Sequence, residues 1–143
     1  MRVLLDTCII IDALQSRAPF SEAAEEIIMG CANRRCVGFI TAKSTTDIYY
    51  LTHRQTHSDQ TARQVLAKLL SLLNLADTTE MDIRNALTSE TSDFEDAVMI
   101  ETAMREKADC IVTRNAKDYT KSPIPVYTPT AFLTALNESE SLE

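Results

Sequence analysis

The sequence is poor in glycine, in basic residues and in long apolar runs. Only 2 of its 143 residues are glycine, and no stretch of about 18 uninterrupted apolar residues occurs, which excludes a membrane-spanning helix. The 14 lysines and arginines are outnumbered by 21 aspartates and glutamates, so the net charge is −7. This balance argues against a protein that wraps nucleic acid by bulk electrostatics, but an acidic metal site remains compatible with phosphodiester chemistry. The opening segment also has too short an apolar run for a signal peptide, and we expect a cytoplasmic protein.

The four cysteines do not form a metal-binding pattern. Cys31 and Cys36 are the nearest pair, but their spacing fits no common zinc motif, and no second pair or nearby histidine completes four ligands. Cys8 and Cys110 lie inside apolar runs, as small buried hydrophobes do. We therefore interpret all four cysteines as reduced residues without a metal.

Short strand-like apolar runs alternate along the chain with helix-like apolar stripes. The predicted strands are Arg2–Leu5, Cys36–Ile40, Leu75–Asp77, Cys110–Thr113 and Val126–Tyr127. The resulting order, β-α-α-β-α-α-β-α-α-β-β-α, predicts an α/β protein with three α/β/α layers and a central parallel sheet of four to five strands. We expect one domain over residues 1–136 that closes with a helix from Pro129 to Leu136. Residues 137–143 are predicted to form a polar, disordered tail.

Several aspartates are predicted to meet at one edge of this sheet. Asp6 ends the first strand, Asp96 opens the helix that leads into the fourth strand, and Asp118 follows that strand closely. Asp47 lies roughly one to two turns into the helix after the second strand. Ligands of open parallel sheets bind beyond the carboxyl ends of the strands, and like charges gathered there need a cation. Oxygen ligands without histidine or cysteine favour magnesium or manganese.

Each acid has another interpretation when it is taken alone. Asp6 and Asp93 are typical helix N-caps, and for Asp93 we prefer that interpretation. Asp47 alone is better explained as a solvated helix residue. Asp96 is also consistent with an acidic first helical turn, and Asp118 with a turn aspartate. The shared edge, rather than any single residue, indicates a site.

Four sequence blocks resemble the PIN domain family, the RNase H-related metal nuclease fold that includes VapC-type toxins. The matching blocks are Leu4–Asp12 (LLDTCIIID, against the family's LLDTNVLID), Ser44–Tyr50 (STTDIYY, a second acidic block), Asp93–Ala97 (DFEDA) and Ile111–Tyr119 (IVTRNAKDY, against IVTRNxKDF). All four occur in the family's order and with matching spacing. The resemblance extends over residues 1 to about 135, which is nearly the whole chain.

This resemblance implies a PIN-like fold and a metal-dependent endoribonuclease that hydrolyses single-stranded RNA. Asp6, Asp47 and Asp96 would be its catalytic acids. A Mg²⁺ or Mn²⁺ ion would be held by these three acids together with Asn115 or Asp118.

Two positions depart from the family pattern. The second acid is commonly glutamate in the wider family, whereas here it is the shorter Asp47. The fourth block commonly carries an aspartate where this chain has Asn115, which offers a carbonyl oxygen but no charge. Asp118 is the candidate for the missing carboxylate. Without it the site keeps three acids, and we expect it to bind metal weakly.

The resemblance also suggests residues and partners around the acids. The hydroxyls of Thr7 and Thr113 are predicted to bond a carboxylate or a substrate phosphate, and the planar guanidinium of Arg114 is predicted to contact a phosphate. The protein would act as the toxin of a toxin–antitoxin pair. An antitoxin protein and a second copy of the chain, forming a homodimer, are the implied partners.

Two other functions remain open at this point. One is a catalytically weak or silent PIN-fold module that binds RNA or a partner protein, which Asn115 and the net charge of −7 favour. The other is a response-regulator-like phosphotransfer domain. That domain requires paired acids just before the first helix and a lysine after the last strand, and the Asp6–Cys8 start and Pro125–Tyr127 end fit it poorly.

Overall fold

Strands and helices follow one another in the predicted order. The computed structural model describes residues 1–119 and 121–142. The strands in this part of the chain are β1 (Arg2–Leu5), β2 (Val37–Thr41), β3 (Asn74–Ala76), β4 (Cys110–Val112) and β5 (Val126–Tyr127). The helices are α1 (Thr7–Leu14), α2 (Ser21–Ala32), α3 (Ala42–Thr56), α4 (Asp59–Leu72), α5 (Glu80–Leu87), α6 (Phe94–Arg105) and α7 (Pro129–Ser141). A short 3₁₀ turn, Ala116–Asp118, follows β4.

All strands pair in parallel, in the order β3-β2-β1-β4-β5. The chain builds outward from β1 through β2 to β3 and then crosses back, so that β4 pairs with the opposite side of β1. The strand order therefore reverses between β1 and β4. Such a reversal is where open parallel sheets bind their ligands.

Helices cover both faces of the sheet, as the α/β/α prediction required. Val3 and Leu5 of β1 point into a core that also contains buried residues of α1, α2, α3, α4 and α7. Leu4 and Ile111 point to the opposite face, where they pack with residues of α6. The alternation of neighbouring residues between the two cores is the period expected of a strand. The predicted three-layer fold is confirmed, with a five-stranded sheet.

The cysteines pack in or beside the core. All four are free thiols, and Cys31, Cys36 and Cys110 are buried. The sulfur of Cys31 lies 3.5 Å from that of Cys36. It also comes so close to Gly38 that a Cβ there would sit 2.6 Å from it, so a larger residue at this position of β2 would have to displace the side chain of Cys31.

The carboxyl end of the chain differs from the prediction. The closing helix was expected to end near Leu136 and to be followed by a disordered tail over residues 137–143. Instead, α7 continues to Ser141, and Leu142 occupies its C-cap position. The guanidinium of Arg35 donates to Asn137 Oδ1 at 2.7 Å and to both carboxylate oxygens of Glu140, at 2.7 and 2.8 Å. These contacts with Arg35 hold the polar end of α7 against the rest of the protein. Glu143, the last residue of the predicted tail, lies outside the described residues.

None of the helices in the described ranges is long and apolar enough to cross a lipid bilayer.

Candidate active site

Asp6 ends β1 and begins α1, next to the reversal of strand order. Its backbone N–H donates to the carbonyl of Val112 at 3.0 Å, which ties it to the end of β4. Asp6 occupies the N-cap position of α1, but its carboxylate makes no capping hydrogen bond. Oδ2 instead accepts hydrogen bonds from the hydroxyls of Thr113 at 2.8 Å and Tyr119 at 3.2 Å. The carboxylate therefore lines the cleft beyond the strands rather than capping the helix.

Asp96 is the third residue of α6, and its backbone N–H donates to Oδ1 of Asp93 at 3.0 Å. Asp93 is the N-cap of this helix, which confirms the interpretation preferred for it. Partial burial and, to a smaller extent, the negative charges of Asp93, Asp6 and Asp118 together raise the pKa of Asp96 to about 6. The hydroxyl of Tyr119 opposes this rise. Asp96 thus shares a region of negative potential with acids from β1 and from the turn after β4.

Tyr119 connects the two acids. It follows the 3₁₀ turn directly, and its side chain is buried. Its hydroxyl donates to Asp6 and also faces Asp96. Burial raises the pKa of the phenol, and the charges of Asp6 and Asp96 raise it further, so the hydroxyl stays protonated and acts as a donor.

Asp47 lies on α3 and is paired with a lysine. Lys43 Nζ lies 2.9 Å from Asp47 Oδ2, one helical turn away, and 3.2 Å from Glu95 Oε1 on α6. Burial acts to lower the pKa of Lys43, but its hydrogen bonds and charge interactions with Asp47 and Glu95 outweigh burial and raise it. Lys43 therefore remains a cation that joins α3 to α6. Asp47 also lines a surface cavity of about 330 Å³ that includes Asp6 and Tyr50.

The segment after β4 carries Asn115 and Asp118 on exposed positions. The N–H of Asn115 donates to Thr113 Oγ1 at 3.2 Å, and the N–H of Asp118 donates to the Asn115 carbonyl at 2.9 Å. The charge of Asp118 contributes to the raised pKa of Asp96. Asp118 is thus close enough to Asp96 to act on it electrostatically. Such proximity is required if Asp118 replaces the carboxylate that is missing at Asn115.

The two threonines predicted to contact a carboxylate or a phosphate have different partners. The hydroxyl of Thr113 donates to the carboxylate of Asp6. The hydroxyl of Thr7 donates to Ser44 Oγ at 2.9 Å, and Thr41 donates to the same oxygen at the same distance. Ser44, in the first turn of α3, therefore links the ends of β1 and β2 through a chain of hydroxyls.

Arg114, the predicted phosphate contact, is engaged inside the protein. Its Nε lies 2.8 Å from Oδ2 of the fully buried Asp12, a close ion pair without the alignment of a hydrogen bond. The guanidinium also lies over the ring of Phe20, 4.4 Å from the ring centroid. Burial raises the pKa of Asp12, against the charges of Arg114 and Arg17. These contacts fasten the segment after β4 to α1, and a phosphate contact by Arg114 stays a prediction.

The donor atoms at this edge suit a hard divalent cation. Asp6 and Asp96 offer carboxylate oxygens, and the raised pKa of Asp96 marks a local excess of negative charge that a cation would offset. Across residues 1–119 and 121–142, no group of three histidine, cysteine, aspartate or glutamate side chains is already arranged to hold a metal ion. The two acids Asp6 and Asp96 therefore fit magnesium or manganese, and Asp47 borders a cavity with Asp6 while its Oδ2 is paired with Lys43.

Sequence reasoning missed the parts played by Tyr119, Ser44 and Glu95. A usable signal existed for Tyr119, because it closes the fourth block just beyond a strand end, and a buried tyrosine needs a partner for its hydroxyl. Ser44 and Glu95 gave no comparable signal, since the bond of Ser44 with Thr7 and the ion pair of Glu95 with Lys43 join elements distant in the sequence.

Comparison with known proteins identifies the family of the chain. A family model described as "PIN domain" matches residues 2–117. No curated protein sequence is a significant match.

Several solved structures share the fold at low sequence identity. A toxin–antitoxin complex from Klebsiella pneumoniae has a chain with 23% identity and a TM-score of 0.66, and the match covers 89% of this chain and 97% of that one. VapBC2 from Rickettsia felis, bound to a DNA fragment from its promoter, gives 17% identity, the same TM-score of 0.66, and coverage of 89% and 97%. VapC20 from Mycobacterium tuberculosis, described as a toxin that cleaves the sarcin–ricin loop, gives 13% identity, a TM-score of 0.60, and coverage of 76% and 86%.

Proposed function

Because this chain belongs to the PIN domain family, we propose that it is a magnesium- or manganese-dependent ribonuclease that hydrolyses phosphodiester bonds of single-stranded RNA. The observation that carries the proposal is that Asp6, Asp96 and Tyr119 line one cavity beside the reversal of strand order, where the hydroxyl of Tyr119 donates to Asp6. Two acids held together without a basic partner cost stability, and such groups are typical of functional sites.

The acids of this edge have distinct roles in the proposal. Asp6 and Asp96 hold the metal ion, Asp47 joins them as the third acid, and Asn115 or Asp118 takes the fourth position. A bound divalent cation lowers the pKa of a water and stabilises the charge that develops on the phosphate.

The neighbouring residues orient these acids. Hydrogen bonds from Thr113 and Tyr119 fix the carboxylate of Asp6, so its free lone pairs face the cleft. Lys43 pairs with both Asp47 and Glu95 and so offsets part of their negative charge beside the other acids. The ion pair of Arg114 with Asp12 holds the segment that carries Asn115 and Asp118.

We further propose that the protein is the toxin of a toxin–antitoxin pair. The solved structures that share its fold include chains described as toxin–antitoxin complexes and a VapC toxin. An antitoxin protein and a homodimer are the partners expected on this basis. Co-expression with the protein encoded by the adjacent gene, followed by purification of a complex, would test the antitoxin.

The ribonuclease proposal is tested with purified protein and a fluorescently labelled single-stranded RNA. Cleavage should require magnesium or manganese and stop on chelation. Asp6→Asn and Asp96→Asn should each lower the rate by at least about a hundredfold, as expected when a group that stabilises charge in the transition state is lost. Asp77→Asn, an exposed aspartate after β3, is the matched control and should cleave normally. Unchanged cleavage in both site variants would remove these acids from the mechanism.

A second candidate is a PIN-fold module that binds RNA or a partner protein without cleaving RNA. Asn115 in the place of an acid, and the engagement of Asp47 by Lys43, favour this candidate. It predicts that the wild-type protein leaves RNA intact and that calorimetry detects no metal binding up to millimolar magnesium. Metal-dependent cleavage would exclude it.

A further inference from the structure

Two exposed aromatic side chains border the acids. The chain has four phenylalanines and four tyrosines, and within the described residues three of these eight are exposed: Phe20, Tyr50 and Phe94. The ring of Phe20 is covered by the guanidinium of Arg114. Tyr50 is 62% exposed and Phe94 is 46% exposed. In the part of the chain that the structure describes, Tyr50 and Phe94 are thus exposed aromatic rings without a cation over them.

Each of these two rings lines a cavity that contains Asp6. Phe94 borders a cavity of about 110 Å³ together with Asp6 and Asp96. The lining of this cavity also includes the apolar side chains of Ile83 and Met99. Tyr50 borders the cavity of about 330 Å³ that contains Asp6 and Asp47. The two cavities share Asp6, Thr7 and Glu95 in their linings. An aromatic surface is therefore available in each of two cavities that meet at one carboxylate.

The charge of the protein makes such surfaces useful for RNA. With a net charge of −7, the protein attracts a phosphate backbone weakly, and the lysine nearest the acids is already paired with two of them. A nucleobase, in contrast, is uncharged and offers a flat face to an aromatic ring. Bases can reach a ring in this way only when they are unstacked, as in single strands, loops and bulges.

We propose that Phe94 and Tyr50 are stacking platforms for two nucleobases of an unpaired RNA segment whose phosphate lies at Asp6. The inference rests on the proposed function, because RNA is taken as the substrate, and it adds how that substrate is recognised. The platforms select unpaired RNA by shape, and they bind bases of any identity because every base has a flat face.

The absence of tryptophan from the chain allows a direct test. Phe94→Trp and Tyr50→Trp each introduce a single tryptophan at a proposed platform. Met104→Trp places one on an exposed position of the same α6, about 15 Å from Phe94 along the helix axis. All three are made in the Asp96→Asn background with magnesium present, so that the RNA is not cleaved and the carboxylate of Asp6 is kept. The probes are oligoadenylate and an abasic ribose-phosphate oligomer of the same length.

Oligoadenylate should quench the tryptophan fluorescence at both platforms and leave that of Met104→Trp unchanged, and the abasic oligomer should quench none. No quenching at the platforms, or equal quenching in all three variants, overturns the proposal. In the same Asp96→Asn background, Phe94→Ala and Tyr50→Ala should each weaken oligoadenylate binding about fivefold to hundredfold, the loss that removal of one base–aromatic stack produces. Phe94→Tyr should restore binding, and Leu87→Ala, an exposed apolar residue of α5, should not affect it.

A parallel cleavage assay separates this inference from the proposed function. Metal-dependent cleavage by the wild-type protein without quenching at the platforms would overturn the stacking proposal and leave the ribonuclease intact. Quenching at the platforms without cleavage by the wild-type protein would support the platforms and overturn the ribonuclease.

Discussion

Two aspartates occupy the same position in neighbouring helices and have opposite surroundings. Asp82 is the third residue of α5 and Asp96 is the third residue of α6. Asp82 completes a capping box with Thr79, accepts a hydrogen bond from Thr102, and pairs with Arg105 at 3.0 Å. Burial acts to raise the pKa of Asp82, but the bonds from Arg105 and Thr79 outweigh it and the pKa is lowered.

Asp96 has the same helical position but acidic neighbours. Burial and the charges of Asp93, Asp6 and Asp118 raise its pKa, so its ionised form is less favourable than that of a free aspartate. The opposite pKa shifts of the two aspartates do not come from the local sequence. They come from the charged residues that other elements bring close: Arg105 for Asp82, and acids for Asp96. Asp82 stabilises the fold, whereas Asp96 is kept at a cost in stability, as residues of functional sites often are.

Loss of Arg105 should produce the largest effect on stability. In Arg105→Ala the buried carboxylate of Asp82 keeps its charge and loses its cation, and we expect the free energy of unfolding to fall by about 3–5 kcal/mol. Urea denaturation followed by circular dichroism measures this change. Arg84→Ala, which removes an exposed ion pair with Glu80 on α5, should cost no more than about 0.5 kcal/mol. Similar losses in the two variants would show that burial does not distinguish these pairs.

Asp96→Asn should change the free energy of unfolding in the opposite direction and stabilise the protein. With chelator present at pH 7, removal of the repelled charge should raise the free energy of unfolding by about 1–2 kcal/mol, after allowance for the partial exposure of the side chain. The same denaturation experiment tests this gain. Asp82→Asn is the control with the matching substitution, and it should destabilise the protein. A loss of stability in both variants would contradict the comparison.

Local patterns in the sequence were sufficient to predict the elements and their order. The apolar periods of strands and helices involve residues a few positions apart. The end of β1 and the start of α6 predicted that Asp6 and Asp96 lie at one edge. The side-chain partners were not predictable in this way. Tyr119 bonds Asp6 across 113 positions, and Arg105 reaches Asp82 across 23. Such pairs depend on how the elements pack, which the local pattern does not contain.

The contact of Arg114 with a phosphate, which was expected from the sequence, shows the same limit of local patterns. An arginine just beyond a strand end is a reasonable phosphate ligand, and from the sequence Asp12 is only one more polar residue in an apolar helix. Packing of α1 against the segment after β4 buries Asp12 completely and gives Arg114 a partner inside the protein. The prediction of a disordered tail after Leu136 was wrong because the partner of this polar segment, Arg35, lies 105 positions from Glu140.

The pH dependence of stability should separate the two aspartates again. Folding raises the pKa of Asp96 from 3.8 to about 6, so the folded protein binds more protons than the unfolded chain between these values, and its stability should increase as the pH falls from about 6 toward 4. Folding lowers the pKa of Asp82, so its contribution is present above about pH 4 and is lost below it. With chelator present, the difference in unfolding free energy between Asp96→Asn and the wild type should therefore shrink by about 1 kcal/mol between pH 7 and pH 4. A difference that stays constant over this range would mean that Asp96 does not titrate there.

The smallest expected effect on stability is that of magnesium binding, which should depend on Asp96 but not on Asp82 and its partner Arg105. Magnesium at a concentration equal to its Kd should stabilise the wild-type protein by about 0.4 kcal/mol, because it binds the folded state only. Thermal denaturation over a magnesium series would show the accompanying rise in Tm. Asp96→Asn should abolish the rise, because it removes one of the two acids that meet at Tyr119. Arg105→Ala should keep it despite its lower Tm, since Asp82 and its partners lie outside that pair of acids. An equal rise in Tm in the wild type and Asp96→Asn would show that the metal binds elsewhere. A rise that is lost in Arg105→Ala alone would show that metal binding depends on the stability of α5 and α6 rather than on the charge of Asp96.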